Sequence, residues 1–192
     1  IRIHVNGTRG KSSVTRLIAA GLRAGGLKTF AKTTGTIPRI INDKGNDVEL
    51  HRLRSASIGE QIKLIRYFAK KSIDALVNEC MAVNPQYQWI LEQNIVKSTI
   101  GVITNVRPDH IDEMGFTLQD NAMSLSYTIR FIVKLVTSEI EMGSVLEHVS
   151  EKRNTAIFIN GGAGRVIASI PALELFTEEN PVSYTHLTLP TK

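Results

Sequence analysis

Residues 6–13 read NGTRGKSS, with two glycines, a lysine and two serines set between an apolar run and a helical pattern. Backbone N–H groups in such a loop, together with the positive end of the following helix, can wrap phosphate oxygens. Gly7 and Gly10 let the backbone approach a ligand, Lys11 offers a point charge to β- and γ-phosphates, and the Ser12 hydroxyl suits Mg²⁺. Thr8, Arg9 and Ser13 complete the expected binding loop. The longer pattern G-x-x-x-x-G-K-[ST] would need glycine at position 5, where the sequence has Val5, so this is the shorter G-T-x-G-K-S form. A glycine turn ahead of an ordinary helix is the plain alternative, and the correct flanks on both sides weigh against it.

Glu79 closes the apolar run DALVNE. Its carboxylate is expected at the carboxyl edge of a sheet, where open α/β sheets bind ligands and where a divalent cation could be held. The alternative is a strand-end glutamate facing water. A third group, Asn105, Asp109, His110 and Asp112 in NVRPDHID, follows another buried run. Taken alone, a histidine in that place is more often a hydrogen-bonded surface residue than a ligand.

These side chains need a scaffold, and the hydrophobic periodicity supplies one. Ile1–Val5 has a strand pattern, and Ser12–Ala24 puts Val14, Leu17, Ile18 and Leu22 on one helical face. Leu27–Lys32 reads as a second strand, whereas residues 40–55 lack clear periodicity and are expected to form an excursion. Ile58–Lys71 is an amphipathic helix pattern, Ile73–Val77 a buried strand running on to Glu79, and Pro85 suits the first turn of the next helix. Thr99–Thr104, Lys134–Thr137 and Thr155–Ile159 read as further strands, separated by helices at Leu118–Ile129 and Ile140–Lys152. Such alternation predicts an α/β fold, with a mostly parallel sheet covered by helices on both faces.

The 192 residues are 42% hydrophobic, enough for one full core. One cysteine, Cys80, rules out an internal disulfide and fits a reducing, cytoplasmic setting. No apolar run approaches the about 18–20 residues of a membrane helix, and the start lacks a signal-peptide pattern, so a soluble domain is expected. The net charge of +5 is uneven, since residues 1–42 hold eight Lys or Arg and no Asp or Glu. That asymmetry allows a nucleic-acid arm, a solvated basic face or a folded anion site. Interleaving with apolar periodicity favours the last, and Phe30 is the one aromatic residue available there for base stacking, so no nucleic-acid partner is expected.

The loop GTRGKS resembles that of the Mur ligases and folylpolyglutamate synthases. Mur-type ligases also place an N-x-x-x-D-H-x-D element where this chain has Asn105 to Asp112. The words KTTGT (32–36), IGEQ (58–61), NECMAVNPQYQ (78–88) and DHIDEMG (109–115) look like the ligase subunits of poly-γ-glutamate synthases of Gram-positive capsule systems, in the same order. The similarity covers residues 1–160 and implies a P-loop NTPase-like ATP-binding domain of the Mur ligase central type, with ATP and Mg²⁺ as cofactors. It implies that Lys11, Glu79 and His110 serve catalysis and that Ser12, Glu79 and His110 hold the metal. Thr36 and Asn105 would join the loop in holding nucleotide, while Asp109 and Asp112 would shape the loop or orient the histidine.

The implied reaction is ATP-dependent acid–amino acid ligation, in which a glutamate γ-carboxylate becomes an acyl phosphate and a glutamate amine displaces phosphate. Glutamate, growing poly-γ-glutamate and other membrane subunits of the synthase are the implied partners, at the cytoplasmic face of the membrane. Two alternatives stay open: another Mur- or folylpolyglutamate-type ligase, and a P-loop regulatory module such as a GTPase. D-x-x-G occurs at Asp112–Gly115, but the N-K-x-D element of guanine recognition is missing.

Departures from the family pattern limit what carries over. Relatives usually bring a membrane-spanning segment and a carboxy-terminal domain that closes over the nucleotide, and the sequence shows neither. No lysine lies between Ile111 and Val133 to match the modified lysine common in Mur ligases, and Lys134 is not given that role. Residues 161–181 are expected to begin a truncated following segment, with GGAG at Gly161–Gly164 as a turn. Residues 182–192, with Tyr184 and His186, resemble a non-native adapter tail. Arg9, Arg16 and Arg39 are placed to attract an acidic polymer or simply to be solvated.

Overall fold

The computed structural model describes residues 1–35, 37–51 and 57–159. Thr36, the expected following segment from Gly161, its GGAG turn and the tail at 182–192 lie outside the described residues.

Strand β1 (Arg2–Asn6) pairs in parallel with β5 (Ala75–Glu79) on one side and with β6 (Ile100–Ile103) on the other. Strand β2 (Thr29–Thr33) adds to β5, and β7 (Lys134–Thr137) and β8 (Ala156–Ile159) extend the sheet beyond β6, all in parallel. Because successive side chains point to opposite faces, each central strand divides its residues between two layers. Ile3 and Val5 of β1 pack with Val14, Ile18 and Leu22 of helix α1 (Lys11–Ala24), as do Ala75 and Val77 of β5. Leu76 points the other way, into a cluster with Leu64 and Phe68 of α2 (Ile58–Ala69). The same alternation delivers Glu79 to the α1 face and His4 and Asn6 to the opposite one.

The sheet has eight strands, ordered β4-β3-β2-β5-β1-β6-β7-β8. Its first two members correct the expected excursion: β3 (Arg39–Ile41) and β4 (Asp47–Glu49) form an antiparallel hairpin on the edge of β2. Asn42 turns the chain by accepting the N–H groups of Lys44 and Asn46 on Oδ1, and Gly45 takes a left-handed φ of 83°. Asp47 then ties the hairpin down, accepting Arg39 Nε at 2.5 Å and Arg16 Nη1 of α1 at 2.6 Å. Those strands are three residues long, and β4 is exposed throughout, so their apolar pattern is too short to read.

Past β5, α3 (Pro85–Ile90) starts with proline and an Asn84 cap and runs on into π-helical turns over Leu91–Val96. The chain then forms β6 and α4 (Ile111–Met114), followed by α5 (Leu118–Ser126), which is shorter than expected and begins with a reciprocal Thr117–Asp120 capping box. Helix α6 (Gly143–Lys152) covers β7 through Leu146 and Val149. No helix among the described residues is long and apolar enough to cross a membrane.

Candidate active site

The loop between β1 and α1 sits at the carboxyl end of the sheet's middle strand, and its two glycines answer different demands. Gly10 precedes the first residue of α1 with φ 79°, a left-handed conformation, and a Cβ there would meet nothing within 4 Å. That open space lies beside the amide-rich bend of the loop. Gly7 has φ 129°, and a Cβ on it would lie 2.1 Å from Thr104 Oγ1. Both glycines were expected to admit a ligand; Gly7 lines the cleft and also lets the loop press against the end of β6. Lys11 directs its ammonium across the loop, donating to the carbonyls of Gly7 at 2.6 Å and Thr8 at 3.3 Å.

Asn105 braces that loop from the β6 side. Its Oδ1 accepts the Thr8 hydroxyl at 2.7 Å and the Arg9 N–H at 3.0 Å, while Nδ2 donates to the Arg9 carbonyl at 3.0 Å. Thr104 Oγ1 donates to the same carbonyl at 2.6 Å. The carboxamide of Asn105 thus holds the loop through both its oxygen and its nitrogen.

On the other flank, Glu79 is 3% exposed and its Oε2 accepts both the Ser12 hydroxyl and the Thr34 N–H at 2.8 Å. Strand alternation accounts for this meeting, since Glu79 and the start of α1 share one face of the sheet. A cleft of about 250 Å³ opens between these elements, and Gly7, Thr8, Lys11, Glu79, Asp109 and His110 all line it. His110 stands at the head of α4 in a left-handed conformation (φ 44°, ψ 54°), its side chain half exposed. Asp109 accepts Arg9 Nη1 at 2.9 Å, closing the rim between the β6–α4 connection and the loop. Ser13 is exposed on the first turn of α1, and Asp112 is exposed on α4. Arg9, Arg16 and Arg39 are each paired with a carboxylate, Arg9 with Asp109 and the other two with Asp47.

Several supporting residues had no signal of their own in the sequence. Asn6 donates to Gln88 Oε1 at 2.8 Å and Thr128 Oγ1 at 3.2 Å, and Gln88 donates onward to the Val83 carbonyl and Ser124. This network fastens the 80–84 segment behind the cleft; Gln88 falls inside the word NPQYQ, but only its complete burial reveals the role. Glu139 is 2% exposed and clamps the start of the β6–α4 connection, accepting Val106 N–H at 2.7 Å, Arg107 Nη1 at 3.0 Å and Met142 N–H at 3.1 Å. Burial works to raise its pKa, yet the Val106 and Met142 amides and the Arg107 charge outweigh it and hold the carboxyl below its ordinary value.

Beneath the loop, His4 Nδ1 meets Glu92 Oε2 at 2.5 Å with both side chains fully buried, and Ser98 donates to the other Glu92 oxygen from its N–H and hydroxyl, each at 2.8 Å. Burial alone would lower the histidine, but Cys80 and Glu92 beside it raise its pKa to about 10. Glu92 is correspondingly depressed: burial opposes its charge, while His4 and Ser98 favour it more strongly. The pair is therefore ionised at neutral pH, a charged strut inside the layer under β1.

A glycine–lysine loop at the tip of the middle strand, with a carboxylate on the neighbouring strand tip, defines a P-loop-like α/β domain. The chain belongs to the Mur ligase middle domain family, whose profile matches residues 5–123. It is 40% identical over 162 residues to the capsule biosynthesis protein CapB of Bacillus anthracis, covering 83% of this chain and 35% of that protein. It is also 40% identical over 161 residues to the PGA synthase CapB of Bacillus subtilis (strain 168), covering 83% and 41%. The chain thus spans well under half the length of these curated relatives. A solved FPGS–AMPPCP complex shares the fold, with a TM-score of 0.59 at 19% identity over 82% of this chain and 45% of that one.

Proposed function

We propose that this chain binds Mg·ATP as the nucleotide-binding domain of an ATP-dependent carboxylate–amine ligase that joins glutamate units through the γ-carboxylate. The observation that carries this reading is the convergence of Lys11, Glu79 and His110 on one cleft at the carboxyl edge of the sheet. The names of the two 40%-identical relatives, a capsule biosynthesis protein and a PGA synthase, support poly-γ-glutamate as the product class. AMPPCP, an ATP analogue, in the structural relative supports ATP as the nucleotide. Partners in this reading are glutamate, the growing polymer and the membrane subunits of a synthase, at the cytoplasmic face.

The residues fit a magnesium ion. The Ser12 hydroxyl and the Glu79 carboxylate, 2.8 Å apart, are hard oxygen donors. Mg²⁺ takes one or two such groups alongside nucleotide phosphates and waters, without a dedicated protein cage. Among the described residues there is no cluster of three or more His, Cys, Asp or Glu that would build such a cage. Ser12 and Glu79 would hold the ion, with His110 as a third ligand, and the bound ion neutralises phosphate charge.

Lys11 binds the β- and γ-phosphate oxygens and stabilises the charge that builds as a γ-carboxylate oxygen attacks the γ-phosphorus. The bond from that phosphorus to the β–γ bridging oxygen breaks, and ADP leaves. Asn105 and Thr104 keep the loop amides aimed at the phosphates throughout. The nitrogen of an incoming glutamate amine then attacks the acyl carbon and loses a proton, and phosphate departs with the electron pair of the C–O bond. Positioning and charge neutralisation suffice, with no side-chain nucleophile.

Calorimetric titration with Mg·AMPPCP tests the reading. Lys11→Ala is expected to weaken binding about tenfold or more, the scale of a lost charge-assisted hydrogen bond. Unchanged affinity in both Lys11→Ala and His110→Ala would remove the site assignment. A strong preference for GTP over ATP would turn the reading toward a regulatory module.

A further inference from the structure

The residues lining the cleft include two chemically distinct sets. One is charged, Lys11, Glu79, Asp109 and His110; the other is an apolar wall of Met81, Ala82 and Val83 from the β5–α3 connection together with Met114 of α4 and Leu125 of α5. Val83, Met114 and Leu125 belong to one hydrophobic cluster, in which Met114 and Leu125 are buried. The wall begins two residues after Glu79 and returns four residues after His110, so the chain sets it beside those two groups. In the proposed function that is the γ-phosphate end, and the apolar wall borders the place where the attacking carboxylate must lie.

The wall offers no hydrogen-bonding side chain. Of the polar residues that line the cleft with it, Gln88 spends both amide protons on Val83 O and Ser124 Oγ, Asn6 Nδ2 donates to Gln88 Oε1 and Thr128 Oγ1, and Cys80 Sγ donates to the Ala82 carbonyl. Methylene groups gain by covering such a surface, while an ammonium or amide N–H placed against it loses its water without a replacement partner. A glutamate unit presents this choice directly. Its γ-carboxylate is carried on two methylenes, and its α-carboxylate sits one carbon from an ammonium, or from an amide N–H within the polymer.

We infer that the wall formed by Met81, Ala82, Val83, Met114 and Leu125 selects the γ-carboxylate of a glutamate unit over its α-carboxylate, by taking the methylenes beside the first and refusing the nitrogen beside the second. This rests on the proposed function and adds the origin of its regiochemistry.

The chain has four methionines, Met81, Met114, Met123 and Met142, and two of them belong to the wall. Methyl-¹³C-methionine NMR can therefore watch the wall directly, with the Met81 and Met114 signals assigned from Met81→Leu and Met114→Leu. The chain is saturated with Mg·AMPPCP and titrated separately with the α-methyl ester of glutamate, whose γ-carboxylate is free, and with the γ-methyl ester, whose α-carboxylate is free. The α-methyl ester is expected to move the Met81 and Met114 signals saturably and leave Met123 in place. The γ-methyl ester should need about tenfold more or greater, the scale on which an unpaired polar group is rejected. Equal responses to both esters, or none to either, would overturn the inference. So would Mg·AMPPCP alone carrying both signals to their end points, since the nucleoside would then own the wall. Calorimetry on the same sample reads nucleotide binding separately, and a chain that binds no Mg·AMPPCP defeats the proposed function and this inference together.

Discussion

Ser12 and Glu79, 67 residues apart in the chain, are joined by a 2.8 Å hydrogen bond from the serine hydroxyl to carboxylate Oε2, the same oxygen that accepts the Thr34 N–H. One carboxylate thus ties the start of α1 to the segment after β2. Glu79→Ala removes the acceptor for both donors and is expected to cost about 1–3 kcal/mol of stability. Glu79→Gln keeps an acceptor and should unfold close to wild type, yet lose the Mg²⁺ dependence of nucleotide binding. Denaturant unfolding beside titrations with and without Mg²⁺ checks both; a Gln variant with full Mg²⁺ dependence would dismiss Glu79 as a metal ligand.

Asn105 makes three hydrogen bonds to the loop residues Thr8 and Arg9 through its side chain. Asn105→Ala is expected to destabilise the domain by about 1–3 kcal/mol and weaken Mg·AMPPCP binding, because the loop amides lose their aim. Asn105→Asp preserves the acceptor but puts a negative charge beside the phosphate loop, so its binding should be the weaker relative to its stability. Equal nucleotide affinity in all three proteins would deny the loop-bracing role.

The two loop glycines should separate cleanly. At Gly10 a Cβ meets open space, so Gly10→Ala incurs mainly the left-handed backbone penalty of about 1–2 kcal/mol. At Gly7 a Cβ would strike Thr104 Oγ1 at 2.1 Å in addition to the positive φ, and Gly7→Ala must push β6's end away from the loop. Unfolding midpoints should therefore fall further for Gly7→Ala than for Gly10→Ala, and the reverse order would contradict the packing described.

The His4–Glu92 pair makes stability depend on pH at both ends of the scale. His4 has a folded pKa raised to about 10, so its contribution is complete below the unfolded value of 6.5 and is lost as pH rises toward 10. Glu92 is depressed below its model value of 4.5, so its contribution is present above that value and is lost as pH falls through the folded one. Removing one partner strands a buried charge, and Glu92→Gln is expected to cost about 3–5 kcal/mol near neutral pH. Melting curves across the alkaline limb should fall less steeply in Glu92→Gln than in the wild type, with Cys80 still beside His4, and equal slopes would deny Glu92 its share in the pair.

What could be read in advance follows from how far apart the interacting residues are. The strand–loop–helix unit of residues 2–24 was legible because period-2 and period-3.6 patterns and the phosphate loop are local, and Glu79 was legible because its position at a strand tip is. His4 looked like part of an apolar strand, and only its partner 88 residues on explains why an imidazole is tolerated there. The same holds for Asn105, whose loop contacts reach across 96 and 97 residues. The hairpin of β3 and β4 was missed because its strands are three residues long and its anchor, Asp47, takes Arg16 from α1. No pattern rule foretells π-helical turns, and the buried Glu92 sits in them.

Ribosomes release a chain from its amino end, so residues 6–13 leave the exit tunnel well before either Glu79 or Asn105 has been made. With β1 central and its loop supported by neighbours encoded far downstream, a segment made before its supports is among the last to acquire its working shape. A nascent polypeptide halted before residue 105 should therefore be blind to nucleotide, however complete its glycine–lysine motif.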